Sequence, residues 1–417
     1  MYSVEEALAL VIDRCQPMSA VEIPVDDALG LVLAANVVSQ LDVPPYDKAL
    51  MDGYALSHKE WSPHRKFKVI GRVTAGSIFP HPLEEESAVQ IMTGAPIPAG
   101  ADCVVMFEQT TEFDTDGHPW VKAANADLPA SVVINVQPRE QQHIMPRALV
   151  MNSHEVILAS GRKLRPIDIG LAIESGNCSV QVIPKAKIAV LATGDELISA
   201  AGSLEPGQIY NSNSPMIAAF SRQAGAEVNN LGIARDQPGP LREAIAVGLQ
   251  SDILILTGGV SEGVLDLVPA TLKALGVEQV FHKVQLKPGK PVWFGTKHRP
   301  DGRQMLVFGL PGNPVSSFVC FFLFVYPAIH VLAGLGKASS KDSAVAKLVV
   351  KHVQRGNRPT YWPAVQTGSG ENARIEPLAW QGSADMRALA QANSLAIFPA
   401  GDRDFQPGES IRFVALP

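Results

Sequence analysis

The chain lacks the strongest nucleotide signatures. Its 417 residues contain no GxxxxGK[ST] run, which excludes a Walker A loop, and no GxGxxG fingerprint, which leaves a dinucleotide fold unsupported. Cysteine is scarce. Cys15, Cys103, Cys178 and Cys320 are scattered and form no CxxC pair, which argues against structural zinc and fits a reduced, cytosolic protein. Charge is sparse at 18%, with a net value of −6, so neither a nucleic-acid surface nor an anionic membrane surface is expected. No Ser/His/Asp or Cys/His grouping stands out as a nucleophile, and the ten histidines are dispersed. Long apolar runs are missing too. Phe318 to Val325 is unbroken, but Tyr326-Pro327 and His330 interrupt its continuation, so a buried helix is expected rather than a membrane span. The opening MYSVEEALALVIDRC carries early acids at helical spacing, unlike a signal peptide.

What is present is a long, apolar chain. At 417 residues and 46% apolar content, about two to four globular domains are expected. Ser3 is a candidate N-cap for a helix with Ala7, Leu8, Leu10 and Val11 on its apolar side. Val21–Val25 alternates as a strand, and Asp26 to Val37 reads as a short helix and a turn. The proline-stiffened Asp42–Asp47 crossing marks a boundary. Short strands and turns then run to about Val133, including Trp120-Val121-Lys122, and predict a β-rich unit inserted into a split first domain. From Lys187 the texture changes to strands alternating with helices, which indicates βαβ units and a mostly parallel sheet. After Gly336 the tail is again strand-like, as in Tyr361–Val365 and Ser394–Phe398. The expected limits are 1–40 with 134–184, 41–133, 185–335 and 336–417.

The stretch Ile253 to Pro314 organises the rest. Ile253–Leu256 runs into Thr257-Gly258-Gly259-Val260-Ser261, Val284–Leu286 into Lys287-Pro288-Gly289-Lys290-Pro291, and Met305–Phe308 into Gly309-Leu310-Pro311-Gly312-Asn313-Pro314. Strands handing over to small-residue loops and then helices put backbone N–H groups and helix N-termini at one sheet edge, where anions bind. Two lysines on the rigid Lys287–Pro291 loop suit phosphate or a metal oxyanion. Thr193-Gly194-Asp195-Glu196-Leu197 is a similar strand end carrying two acids. Asp195 reads as a first-turn helix acid. Glu196 reads equally as that or as a recruiter of Mg²⁺ to phosphate. Glu196, Asp236 and Asp266 all follow strands of one presumed sheet, and a metal–phosphate site accounts for them better than coincidence. Met51-Asp52-Gly53-Tyr54-Ala55 is either an Asp-Gly turn or a turn presenting Asp52 to a ligand. Met92-Thr93-Gly94-Ala95-Pro96 is a surface turn unless its domain faces a site.

Together these motifs, with Gly207-Gln208-Ile209-Tyr210-Asn211-Ser212-Asn213 between them, resemble the molybdopterin molybdenumtransferase family, the MoeA-type proteins and the gephyrin E domain. The resemblance spans nearly the whole chain in the family's order. It implies a multidomain α/β plus β fold: a split, elongated domain used for dimerisation, an inserted β-rich domain, a central molybdopterin-binding α/β domain and a C-terminal β-barrel. It implies a homodimer with a shared active site. It also implies a reaction in which molybdate and adenylylated molybdopterin give molybdenum cofactor and AMP, with Mg²⁺. On that reading the loops Thr193-Gly194-Asp195, Thr257-Gly258-Gly259 with Ser261, and Pro311-Gly312-Asn313-Pro314 bind substrate. Lys287 and Lys290 attract molybdate or phosphate. Glu196, Asp236 and Asp266 orient pterin groups or Mg²⁺, with Glu196 and Asp266 as metal ligands, and Asp52 and Thr93 close the site from the other subunit. Partners in keeping with it are a molybdopterin adenylyltransferase and the molybdoenzymes served; nucleic acid and membrane are not expected. The alternative is a non-catalytic molybdopterin-binding or scaffold protein of the same fold. Two positions depart from the family pattern. His143 stands where an Asp is usual, in Pro138–Ile144, and Glu262 stands where an apolar residue is common.

Overall fold

The apolar run Ile253–Thr257 is buried at every position, as a strand covered on both faces must be. It lies at the centre of a six-stranded sheet, in a computed structural model that describes residues 1–121, 128–260, 267–336 and 344–416. The sheet order is Glu227–Ala234, Lys187–Thr193, Ile253–Thr257, Gln304–Leu310, Trp293–His298, Glu278–His282. The first four run parallel, Trp293–His298 is reversed against them, and Glu278–His282, antiparallel to it, runs in the original direction. Alternation sends successive side chains to opposite faces. Ile188, Val190, Ile253, Ile255, Leu306 and Phe308 enter one core, while Ala189, Leu191, Leu254, Leu256, Met305 and Val307 enter the other.

The Phe318 run is part of a 19-residue helix, Pro314–Leu332, that is long and apolar enough to cross a bilayer but is 89% buried. It is a core helix, with Phe321–Val325 widened into π turns. Phe318, Phe321 and Phe322 pack their rings on Phe220 of the helix Asn213–Gln223.

The other units are β-rich. Val21–Pro24 pairs with Ser179–Ile183, and Val37–Val38 with Val156–Leu158, so two segments far apart in the chain pair with each other. Between them lies a six-stranded sheet ordered Cys103–Met106, Gly53–Leu56, Ser87–Ile91, Lys66–Val73, Ser131–Ile134, Thr110–Phe113. The C-terminal strands Ala344–Leu348, Arg374–Pro377, Thr360–Thr367, Ser394–Phe398 and Ser410–Ala415 close into a barrel.

Several local expectations change. Ser3 does cap Val4–Ile12 in a capping box, but this helix packs on the α/β core, because Val4, Ala7 and Val11 find their apolar partners there. Asp26 to Val37 holds one 3₁₀ turn, Val25–Asp27, before Gly30 reverses the chain at φ 77°. Trp120-Val121 is not strand, and Lys122 lies outside the described residues. Val284–Leu286 is not a sheet strand; it bridges units, with the Gln285 N–H donating to the Tyr2 carbonyl and the Lys287 N–H to that of Pro359.

A buried histidine on the short strand His352–Gln354 packs against the barrel. The His352 ring stacks on Phe398 at 3.7 Å, it is 7% exposed, and its Nε2 has no hydrogen-bond partner among the described residues. Burial pushes its pKa down from 6.5 to about 4, so folding favours the neutral ring. That contribution is complete above pH 6.5 and is lost as pH falls towards 4, because the unfolded chain then binds the extra proton. We expect the barrel's melting temperature to drop between pH 6.5 and 4.5, and His352→Phe to flatten much of that drop in calorimetry.

Candidate active site

Register brings the strand ends to one edge. Ala192 pairs with Thr257, and Thr257 with Leu310, so the loops after Thr193, Thr257 and Leu310 leave together. They close on one another because glycine permits it. Gly258 (φ +90°) and Gly259 (φ +61°) are left-handed, and a Cβ would lie 2.5 Å from the Thr193 carbonyl oxygen at the first and 2.5 Å from Thr193 Oγ1 at the second. The Asn213 side-chain amide donates to the Gly312 carbonyl at 2.6 Å, and Ser317 Oγ to the Pro311 carbonyl at 2.5 Å. Two helices, Asn213–Gln223 and Pro314–Leu332, therefore start at this edge, their N-termini carrying partial positive charge. The far wall is supplied by the C-terminal unit. The Val315 N–H donates to the Ser383 carbonyl at 3.0 Å, which seats Ala384 and Met386 over the cleft.

The enclosed space is about 660 Å³, within the range of a small-molecule site. Its lining holds three buried oxygens without a hydrogen-bond partner among the described residues: Thr193 Oγ1, Thr257 Oγ1 and Asn213 Oδ1. Buried polar atoms are normally satisfied, so each is a position where a bound group would supply the missing bond. Glu196 is the charged residue of the lining among the described residues. The cleft thus combines helix N-termini and hydroxyls suited to phosphate with one carboxylate suited to a hard cation.

The expected residues divide by place. Thr193, Glu196, Thr257, Gly258, Pro311, Gly312, Asn313 and Pro314 line the cleft, and Gly194 and Gly259 stand directly behind it. Asp195 does not open a helix. The chain forms the short strand Leu197–Ile198 instead, paired with Ile209–Tyr210. The Asp195 carboxylate accepts the Asp236 N–H and its carbonyl accepts Arg235 Nη1 at 2.5 Å, so Asp195 and Asp236 tie two strand ends together. Lys287 and Lys290 are outside the lining, and their loop reaches the cleft through Pro291. Ser261, Glu262 and Asp266 lie outside the described residues. Asp52 and Thr93 meet each other in the inserted unit, away from the cleft walls. The Thr93 N–H and hydroxyl donate to Asp52 Oδ1 at 2.6 and 2.7 Å and hold its carboxyl below the ordinary carboxylate range. His143 stands in a left-handed turn (φ 54°), its carbonyl accepting the Leu50 N–H. The residue reading missed Tyr210, Asn211, Asn213, Ser316, Ala384 and Met386 as wall residues. Asn213 had a signal, standing in the Gly207–Asn213 motif; Ala384 and Met386 had none.

A mostly parallel α/β layer with a small-residue cleft at its strand ends, carried with β-rich units and a barrel, defines a multidomain α/β plus β protein. Comparison with known proteins gives the family. Residues 2–176 match the MoeA N-terminal region (domain I and II), 189–331 a probable molybdopterin binding domain, and 346–416 the MoeA C-terminal region (domain IV). A molybdopterin molybdenumtransferase of Staphylococcus aureus (strain Mu50) is 32% identical, covering 99% of this chain and 94% of its own. One from Staphylococcus epidermidis (strain RP62A) is 30% identical over 98% and 94%. The crystal structure of a molybdopterin biosynthesis MoeA protein from Pyrococcus horikoshii aligns with TM-score 0.80 at 26% identity, covering 100% of this chain and 99% of its own. The chain belongs to the molybdopterin molybdenumtransferase (MoeA) family.

The unpaired hydroxyls lead to a discriminating expectation. Thr257→Val removes a buried oxygen that has no partner among the described residues, so it should leave the melting temperature unchanged or raise it by an amount worth about 1 kcal/mol. A loss of stability in thermal unfolding would show that the hydroxyl already has a structural bond.

Proposed function

We propose that this chain is a molybdopterin molybdenumtransferase, a transferase of molybdenum cofactor biosynthesis that inserts molybdenum from molybdate into adenylylated molybdopterin and releases AMP. The observation that carries the reading is the cleft itself: three unsatisfied oxygens and two helix N-termini around one carboxylate, in a chain that matches the family from end to end.

The residue roles come from chemistry. Backbone N–H groups of the Gly258 and Gly312 loops and the two helix N-termini would bind the phosphates. Thr193, Thr257 and Asn213 would satisfy their oxygens on polar groups of the substrate. Lys287 and Lys290 would draw molybdate to the rim, a local cationic supply in a chain of net charge −6. Asp236 and, in the segment not described, Ser261 and Asp266 would complete the pterin and phosphate contacts. The dithiolene sulfurs belong to the substrate, so the protein's task is positioning and charge stabilisation. The all-oxygen donor set of Glu196, Thr193, Thr257 and Asn213 fits Mg²⁺, with Glu196 and Asp266 as its holders; the ion would neutralise phosphate charge.

The site is shared in this proposal. The cleft is supplied by one subunit, and the Asp52–Thr93 pair closes it from a second copy in a homodimer. The division into four units and a cytoplasmic setting belong to the same reading, as do transient contacts with a molybdopterin adenylyltransferase and with molybdoenzymes.

AMP release from adenylylated molybdopterin should depend on molybdate, and Glu196→Gln should depress it more than tenfold while the fold persists. Tight substrate binding without AMP release would favour the non-catalytic alternative. Shared sites make a sharper demand. Glu196→Gln and Asp52→Asn subunits, each inactive alone, should regain about a quarter of wild-type turnover when subunits are exchanged at equal amounts, because half the dimers then hold one intact site. No recovery in verified mixed dimers would sink the shared site.

A further inference from the structure

The inserted six-stranded sheet holds a second cleft that the transferase reading does not use. It measures about 470 Å³ and opens beside the turn Phe107–Gln109 and the strand Thr110–Phe113, with Gln90, Phe107, Thr110, Thr111, Glu112 and Trp120 in its lining. It has no residue in common with the α/β cleft.

A directed chain of hydrogen bonds ends on it. Arg72 Nε donates to Gln90 Oε1. That fixes the amide, so Gln90 Nε2 points to the Tyr54 hydroxyl, at 3.4 Å. Tyr54 then donates to Glu112 Oε1 at 2.5 Å. Gln90 is 5% exposed and Tyr54 fully buried. Each proton in the chain points towards Glu112, so the chain stabilises its carboxylate as an acceptor. Glu112 Oε2 makes no hydrogen bond among the described residues, and Oε1 retains a free lone pair. Closing the sheet alone would be served as well by apolar side chains, without burying a glutamine and a tyrosine hydroxyl.

We propose that this cleft binds a planar nitrogen heterocycle through an edge with two adjacent N–H donors, the edge that a 2-amino-4-oxopyrimidine ring presents in guanine or in a pterin. The two donors meet the Glu112 carboxylate as a fork. Phe107 and Trp120 supply ring faces for stacking. The Thr110 hydroxyl donates to the Phe107 carbonyl and the Thr111 hydroxyl shares hydrogen bonds with Asn135, so each offers a ligand an acceptor lone pair. An alkylammonium ion would also suit a carboxylate beside aromatic rings, but a quaternary one has no N–H to meet the Glu112 carboxylate as a fork. The inference does not rest on the transferase reading.

The test measures binding to the full chain by calorimetry and by tryptophan fluorescence. The probes are guanosine, inosine (which lacks the 2-amino group), 6-hydroxymethylpterin and tetramethylammonium. Guanosine or the pterin should bind saturably, the tighter of the two naming the source of the ring, and inosine should bind about tenfold more weakly than guanosine or not at all. Glu112→Gln should weaken the bound ring by a similar factor while circular dichroism and melting stay unchanged. Should that variant unfold, Trp120→Ala against Trp120→Phe makes the same distinction, with loss in the first and retention in the second. Equal binding of guanosine and inosine, saturation by tetramethylammonium alone, or no binding of any ring overturns the proposal. So does a loss caused by Thr257→Val rather than by Glu112→Gln, because the ligand would then occupy the α/β cleft.

Discussion

Everything at the main cleft depends on how closely three strand-end loops can approach. Gly258 and Gly259 lie against Thr193 with no room for a side chain: a Cβ at either would stand 2.5 Å from a Thr193 oxygen. A real Cβ at that distance would push the loops apart and move Thr193, Thr257 and the Gly312 turn with them. The parallel register supplies the common edge, but glycine turns it into a cleft. The same close approach buries the hydroxyls of Thr193 and Thr257 without partners among the described residues. Packing and binding capacity are therefore two consequences of one steric fact.

Charge has to be handled locally as a result. A chain of net charge −6 repels an anionic substrate at long range. The described cleft lining holds no lysine or arginine, and its charged residue is an acid, Glu196. What remains at short range are the N-termini of Asn213–Gln223 and Pro314–Leu332, fixed dipoles that need no mobile side chain. Dipoles held by a buried helix lose little on binding because they are already oriented. The 19 residues of Pro314–Leu332, with their phenylalanine packing, are thus as much part of the site as the loop that precedes them.

Much of this was legible in the residues, for identifiable reasons. Continuous apolar runs such as Ile253–Leu256 announced strands buried on both faces, and their glycine loops announced the edge. The Phe318 run read correctly as a core helix because Pro327 and His330 fall inside it. Failures occurred where distant chain decides the outcome. Asp195 looks like a helix acid until Asp236 supplies an N–H for its carboxylate and the chain pairs Leu197–Ile198 with Ile209–Tyr210. Ala384 and Met386 carry no chemistry of their own, and only the Val315–Ser383 hydrogen bond puts them over the cleft. The N-terminal helix has the right cap and the right stripe, yet its address in the α/β core is written in the partner surface.

The two acids singled out early now stand in different physical situations. Glu196 is in the cleft, beside partnerless oxygens, where a cation would relieve it. Asp52 already has its own donors: the Thr93 amide and hydroxyl both engage Oδ1, keeping the group ionised and its geometry set. This carboxylate is exposed and lies outside the lining of the α/β cleft, and its bonds to Thr93 tie two loops of the inserted sheet together. Its organisation makes sense if the surface it faces is supplied by another molecule, and the arrangement of Glu196 makes sense if the missing part of its site is supplied the same way. In the homodimer proposed above, the inserted unit of one copy and the α/β unit of the other would be complementary halves of one site.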